Sequence, residues 1–96
     1  VTVARTIVAL TAPVGLHARP AVKLTRLAKK FPAEVRLRSL PDGEWVDAKS
    51  ISRVMALKLK SGTTLEFEAR GEAAEEAVEA LRALVAADFA DGSGHG

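Results

Sequence analysis

Apolar and polar residues alternate from Thr2 to Thr11, with β-branched side chains frequent among them, and the run closes at Ala12-Pro13-Val14-Gly15. That pattern predicts a first strand ended by a turn. The period then lengthens: Ala21, Leu24, Leu27, Ala28 and Phe31 recur at helical spacing with Lys and Arg between them, and Pro32 ends the helix. Glu34 to Leu40 alternates Val35 and Leu37 with Arg36 and Arg38, and after the turn Pro41-Asp42-Gly43 the segment Glu44 to Ala48 returns as the second arm of a hairpin. Trp45 in that arm is expected to pack or to cover an edge. Ser50 precedes Ile51, Val54, Met55 and Leu57, the pattern of a helix of about two turns capped by the serine hydroxyl. After the break at Ser61-Gly62, Thr63 to Ala69 sets Leu65, Phe67 and Ala69 against Thr64, Glu66 and Glu68, a strand expected to keep one face in water. Beyond Gly71 the stripe Ala74, Ala77, Val78, Leu81, Leu84 and Val85 predicts a last helix from Glu72 to about Phe89, acidic at its N-terminal end as the helix dipole prefers.

The order β-α-β-β-α-β-α argues for an α+β, two-layer open-faced sandwich: a four-stranded antiparallel sheet with three helices on one face. With 96 residues, nearly half of them apolar, residues 1–90 make one domain and 91–96, including His95, a fraying tail. The absence of cysteine excludes disulfides, thiolate nucleophiles and most structural zinc sites, in keeping with a reducing, cytoplasmic setting. No apolar run approaches the roughly 18 to 20 residues of a membrane span, so no membrane partner is expected. A net charge of +2 does not argue for nucleic acid. Its distribution says more. Arg19, Lys23, Arg26, Lys29 and Lys30 follow one another with no acid among them, so the surface of the first helix should be electropositive and suit acidic or phosphorylated protein partners.

The chemistry concentrates in Gly15-Leu16-His17-Ala18-Arg19-Pro20-Ala21, which places an imidazole where the first strand has run out and the first helix begins. The first amides of a helix have no intrahelical acceptor and the dipole is positive there, so a phosphoryl group on His17 would meet the N–H groups of Ala18 and Arg19. Arg19 adds a permanent cation. Pro20 fits the first turn, where its missing N–H removes no helical bond. A lone histidine at a helix start is ordinarily a cap or a surface residue, and it is the company of Gly15, Arg19 and Pro20 that points to phosphoryl chemistry. Nothing supports a stand-alone hydrolase or kinase: there is no Gly-Lys-Ser/Thr phosphate loop, no carboxylate pair at catalytic spacing and no metal-ligand set, so neither metal nor cofactor is expected.

These residues carry a resemblance. Gly15 to Ala21 looks like the active-site signature of the HPr phosphocarrier family of the bacterial phosphoenolpyruvate-dependent phosphotransferase system, and Lys49-Ser50-Ile51 with Val54-Met55 and Leu57 looks like its second motif. The resemblance implies that His17 accepts phosphate on Nδ1 from phosphorylated enzyme I and yields it to an enzyme IIA-type acceptor for sugar uptake, with Arg19 steadying the group. It implies a cytoplasmic monomer that acts as a carrier and does not turn over a small molecule alone. Part of the second helix would dock on partners, giving an apolar centre of Leu16, Ile51 and Met55 inside a basic rim of Lys23, Arg26 and Lys49. Ser50 would be either a cap alone or also the target of a regulatory serine kinase, as in some Gram-positive relatives.

The chain departs from the family at Ser52, where many members carry methionine or phenylalanine, and at Lys58, where most carry glycine. Ala21-Val22-Lys23-Leu24, the segment from Ala33 to Arg38 and the ending with Phe89 and Asp91 are similar to the nitrogen-related paralogue NPr. A carrier of that regulatory branch, or a regulatory protein-binding module on the same fold, therefore stays open beside the sugar branch.

Overall fold

The computed structural model describes residues 2–13 and 15–90. Seven elements follow in the expected order: β1 (Val3–Ala9), α1 (Ala18–Lys29), β2 (Glu34–Ser39), β3 (Val46–Asp47), α2 (Ile51–Ala56), β4 (Thr64–Arg70) and α3 (Ala74–Ala86). The strands form one antiparallel sheet in the order β1-β4-β2-β3, so the last strand to be made lies between the first two. The hairpin turn is as predicted, but in its return arm only Val46 and Asp47 are strand residues, opposite Leu37 and Arg36, with the Ala48 N–H on the Val35 carbonyl at 2.9 Å. The last helix is shorter than the expected span from Glu72 to about Phe89. It ends at Ala86, and Asp88 and Phe89 then turn the chain in left-handed conformation, with the Phe89 N–H on the Leu84 carbonyl at 2.9 Å and the Phe89 side chain buried. The tail 91–96 lies outside the described residues. Among those that are described, no helix is long and apolar enough to cross a membrane.

One face of the sheet and the inner faces of the helices share a single core. Val35 and Leu37 of β2 and Leu65, Phe67 and Ala69 of β4 meet Ala21, Leu24 and Ala28 of α1, Val54 of α2, and Ala77, Val78, Leu81 and Val85 of α3. The periods of two and of 3.6 read from the chain are thus the two sides of one interior. The largest side chain wholly enclosed there is Phe67, on the central strand.

The other sheet face differs from expectation. Glu66 and Glu68 alternate outward as predicted, yet they are only 8% and 2% exposed. The cover is arginine. Glu68 accepts from Arg36 Nε at 2.7 Å and from Arg5 Nε at 2.8 Å, and Glu66 accepts from Arg38 Nε at 2.8 Å. The register explains the contacts, because Arg5 and Arg36 stand directly opposite Glu68 on the two strands that flank β4. Trp45 then lies against the guanidinium groups of Arg36 and Arg38, 4.3 and 4.6 Å from its ring centroid, which makes it the edge cover anticipated from sequence. Stems and rings that leave their polar heads near water have replaced a second layer of helices.

The hydrogen bond from Arg36 does most to hold the Glu68 carboxyl below its ordinary value near 4.5; burial opposes it, and Arg5 reinforces it. On acidification the unfolded chain takes up this proton first, so the ion pair's contribution is present in full above about pH 4.5 and is lost as the pH falls through the lower folded-state value. Glu68→Gln should cost about 1–3 kcal/mol at pH 7, because the amide removes the charge and keeps an acceptor oxygen for only one of the two guanidinium groups. Urea unfolding at pH 7 and pH 3.5 should show the gap between variant and parent narrowing at the lower pH.

Candidate functional site

The site is built where β1 has ended and α1 has not yet begun. Leu10 donates its N–H to the Thr63 carbonyl at 2.8 Å and accepts from the Gly62 N–H at 2.7 Å, which fixes the chain leaving β1 against the chain entering β4. Gly15 then passes close to the same segment with φ +73°; a Cβ there would stand 2.6 Å from the Leu59 carbonyl oxygen and 3.1 Å from the Lys60 Cα. Both the left-handed backbone and the close approach require glycine. The next N–H, that of Leu16, donates to the same Leu59 carbonyl at 3.0 Å. His17 follows at the N-cap position of α1.

His17 is exposed and extended, with φ −107° and ψ −158°, and its side chain makes no capping bond. Its carbonyl opens the helix by accepting from the Ala21 N–H at 2.9 Å. Since residue 20 is proline, the amides of Ala18 and Arg19 are the N–H groups that precede the first intrahelical bond, and α1 itself offers them no acceptor. Arg19 is exposed in this first turn, which contains no acid. An imidazole free of capping duty, two outward amides and a guanidinium are therefore gathered within three consecutive residues. Among the described residues, no group of three His, Asp or Glu side chains is disposed to hold a metal ion.

The family model described as the PTS HPr component phosphorylation site matches residues 4–87. The chain belongs to the HPr family. It is 45% identical to the phosphocarrier protein HPr of Cupriavidus necator over 78 residues, which cover 81% of this chain and 85% of that protein. It is 43% identical to the multiphosphoryl transfer protein of Vibrio cholerae over 79 residues, 81% of this chain but only a fifth (20%) of that longer protein. The HPr structure from Thermoanaerobacter tengcongensis superposes with a TM-score of 0.84 at 32% identity, covering 92% of this chain and 97% of that one. The likeness spans the sheet and all three helices, so the chain is an HPr phosphocarrier of the phosphotransferase system in its sequence and in its fold.

Other residues singled out in the HPr sequence are distributed less simply. Ser50 caps α2, its Oγ accepting from the Arg53 N–H at 3.3 Å and lying 3.2 Å from Ser52 Oγ. Ile51 and Met55 stand out from that helix, 40% and 38% exposed, whereas Val54 between them is enclosed in the core. Leu16 does not join them. It is 3% exposed, because the bond to Leu59 draws its side chain into the interior. Lys23 and Lys49, expected on the docking rim, both have structural duties: Lys23 Nζ donates to the Phe89 carbonyl and Lys49 Nζ to the Phe31 carbonyl, each at 2.7 Å. Those carbonyls stand just past the ends of α3 and α1, where a cation is favourable. Arg26 remains exposed in the last turn of α1.

The sequence reading missed the segment Lys58-Leu59-Lys60, which the Leu16 bond places next to the site. A signal for it exists in the chain: no acid occurs between Ala48 and Leu65, while Lys49, Arg53, Lys58 and Lys60 all do.

Gly15→Ala combines a left-handed φ with a blocked approach and should destabilise by about 1–3 kcal/mol. Gly62→Ala has φ +94° but nothing within 4 Å of its added Cβ, so it should suffer backbone strain alone. Thermal unfolding of the two variants side by side should rank Gly15→Ala as the more damaging.

Proposed function

We propose that His17 is the phosphoryl acceptor, that enzyme I charged from phosphoenolpyruvate is the donor, and that the group passes on to an enzyme IIA-type acceptor in sugar uptake. The observation that carries this reading is the His17 side chain itself, exposed at the start of α1 and making no capping bond, beside helix-start amides that α1 leaves without acceptors. Phosphoryl transfer between two histidines passes through a loose transition state whose demands are in-line alignment and support for spread negative charge. The neutral ring supplies the attacking lone pair. The amides of Ala18 and Arg19 and the Arg19 guanidinium would meet the equatorial oxygens, and these donors are fixed before the group arrives. Nothing else is asked of the chain, since the leaving group is supplied by the donor and the next nucleophile by the acceptor.

Docking is assigned to the exposed pair Ile51 and Met55, flanked by Arg26, with Ser50 at the base of the same short helix. Ser50 as cap accounts for its geometry; a phosphate added there would bring negative charge to the face that acidic partners approach.

His17→Ala should fold as the parent does, since its side chain makes no capping bond, and should gain no acid-labile phosphate when incubated with phosphoenolpyruvate and enzyme I. Circular dichroism checks the fold and intact-protein mass spectrometry the phosphate, and retention of the one-phosphoryl mass gain at the parental rate would assign the group to another residue. Arg19→Ala should still be phosphorylated but about 10- to 1,000-fold more slowly, the range expected for loss of one charge-stabilising donor; rapid-quench transfer from phosphorylated enzyme I measures it.

A further inference from the structure

The basic residues fall unevenly relative to the acids along this chain. Arg5, Arg36 and Arg38 are ion-paired on the sheet and Arg82 on α3. By contrast, the segments 11–33 and 48–65, which frame His17, contain nine of the 14 basic residues and none of the 12 acids. Within the second segment, Lys58 and Lys60 are exposed, and neither side chain makes a hydrogen bond or ion pair among the described residues. They flank Leu59, whose side chain enters the core and whose carbonyl holds the Leu16 N–H, so both lysines lie on the segment that abuts the approach to His17. The Lys60 Cα is 3.1 Å from the position a Gly15 Cβ would take, and the two residues from Gly15 to His17 span at most about 7 Å.

Lys58 shows a second oddity. It follows the end of α2 in left-handed conformation, φ 51°, its N–H on the Met55 carbonyl at 3.1 Å. Glycine is the residue that adopts this helix-ending conformation without strain. A cation placed there, with no carboxylate to receive it, is strain at a position bordering the proposed site.

We propose that Lys58 and Lys60 form a second cationic rim beside His17, in addition to Arg19, which receives a carboxylate-rich surface of the protein that charges His17. This rests on the reading of His17 as the phosphoryl acceptor. An acidic protein surface fits better than a nucleic acid or a membrane, because the cations are few, border one functional side chain and directly follow the short helix that exposes Ile51 and Met55.

The test uses purified enzyme I with phosphoenolpyruvate as the probe and follows the initial rate of phosphoryl uptake against carrier concentration at low and at moderate salt. The double variant Lys58→Gln with Lys60→Gln should raise KM about three- to tenfold at low salt, with kcat little changed, and should flatten the salt dependence. Lys58→Gly should do two things of opposite sense: raise the thermal midpoint by a few degrees as the left-handed strain is relieved, and raise KM. A parental KM for the double variant overturns the rim, whatever Lys58→Gly does to stability. Failure of the parent itself to take up phosphate would instead overturn the reading of His17, and the rim with it.

Discussion

The backbone seam between residues 10–16 and 59–63 is the constraint from which the functional end of the molecule follows. Three hydrogen bonds of 2.7 to 3.0 Å and one glycine approach join two connections that are distant in sequence. One leads from β1 into α1 and the other from α2 into β4. The seam sets where α1 can start, and α1's start is where its positive end and His17 coincide. As the proposed phosphoryl acceptor, the histidine is served by its location in place of catalytic neighbours. A side chain at the first turn of a helix, on a loop immobilised from behind, meets any incoming anion with backbone donors that are already oriented.

The same economy of means runs through the charges. On the sheet, each outward carboxylate of β4 is covered by arginines from the strands beside it, so the uncovered layer is closed by long amphipathic side chains and one indole. Around His17 the reverse holds: the two segments that frame it are rich in cations and hold no acid. Some of those cations are structural, as the carbonyls of Phe31 and Phe89 receive Lys49 and Lys23. The remainder face solvent. Their excess is local, since the whole chain carries a formal charge of only +2.

Much of this could be read from the chain because its determinants are local. Hydrophobic period fixed the element types, Ser50 announced its helix, and the residues around His17 form one continuous run. What could not be read depends on partners distant in sequence. The alternation Leu65-Glu66-Phe67-Glu68 correctly gives two faces, but that the second is buried follows from Arg5 and Arg36, 63 and 32 residues away, once β4 has inserted between β1 and β2. Lys23 looks like any residue on a wet helix face until the turn after α3 brings it a carbonyl. Leu16 sits within the signature, and only the bond to Leu59 turns its side chain inward. The return arm of the hairpin is shorter than its pattern because Glu44 and Trp45 come before the two residues that pair with β2.

Trp45 has a practical consequence. It is the only tryptophan in the chain, and it rests on Arg36 and Arg38 in the layer opposite α1. Its emission is therefore a reporter of whether β2 and the hairpin arm remain stacked, read through quenching and polarity at the guanidinium groups. The protein carries a built-in optical gauge of its own integrity on one layer, separated by the full thickness of the core from the layer that carries His17.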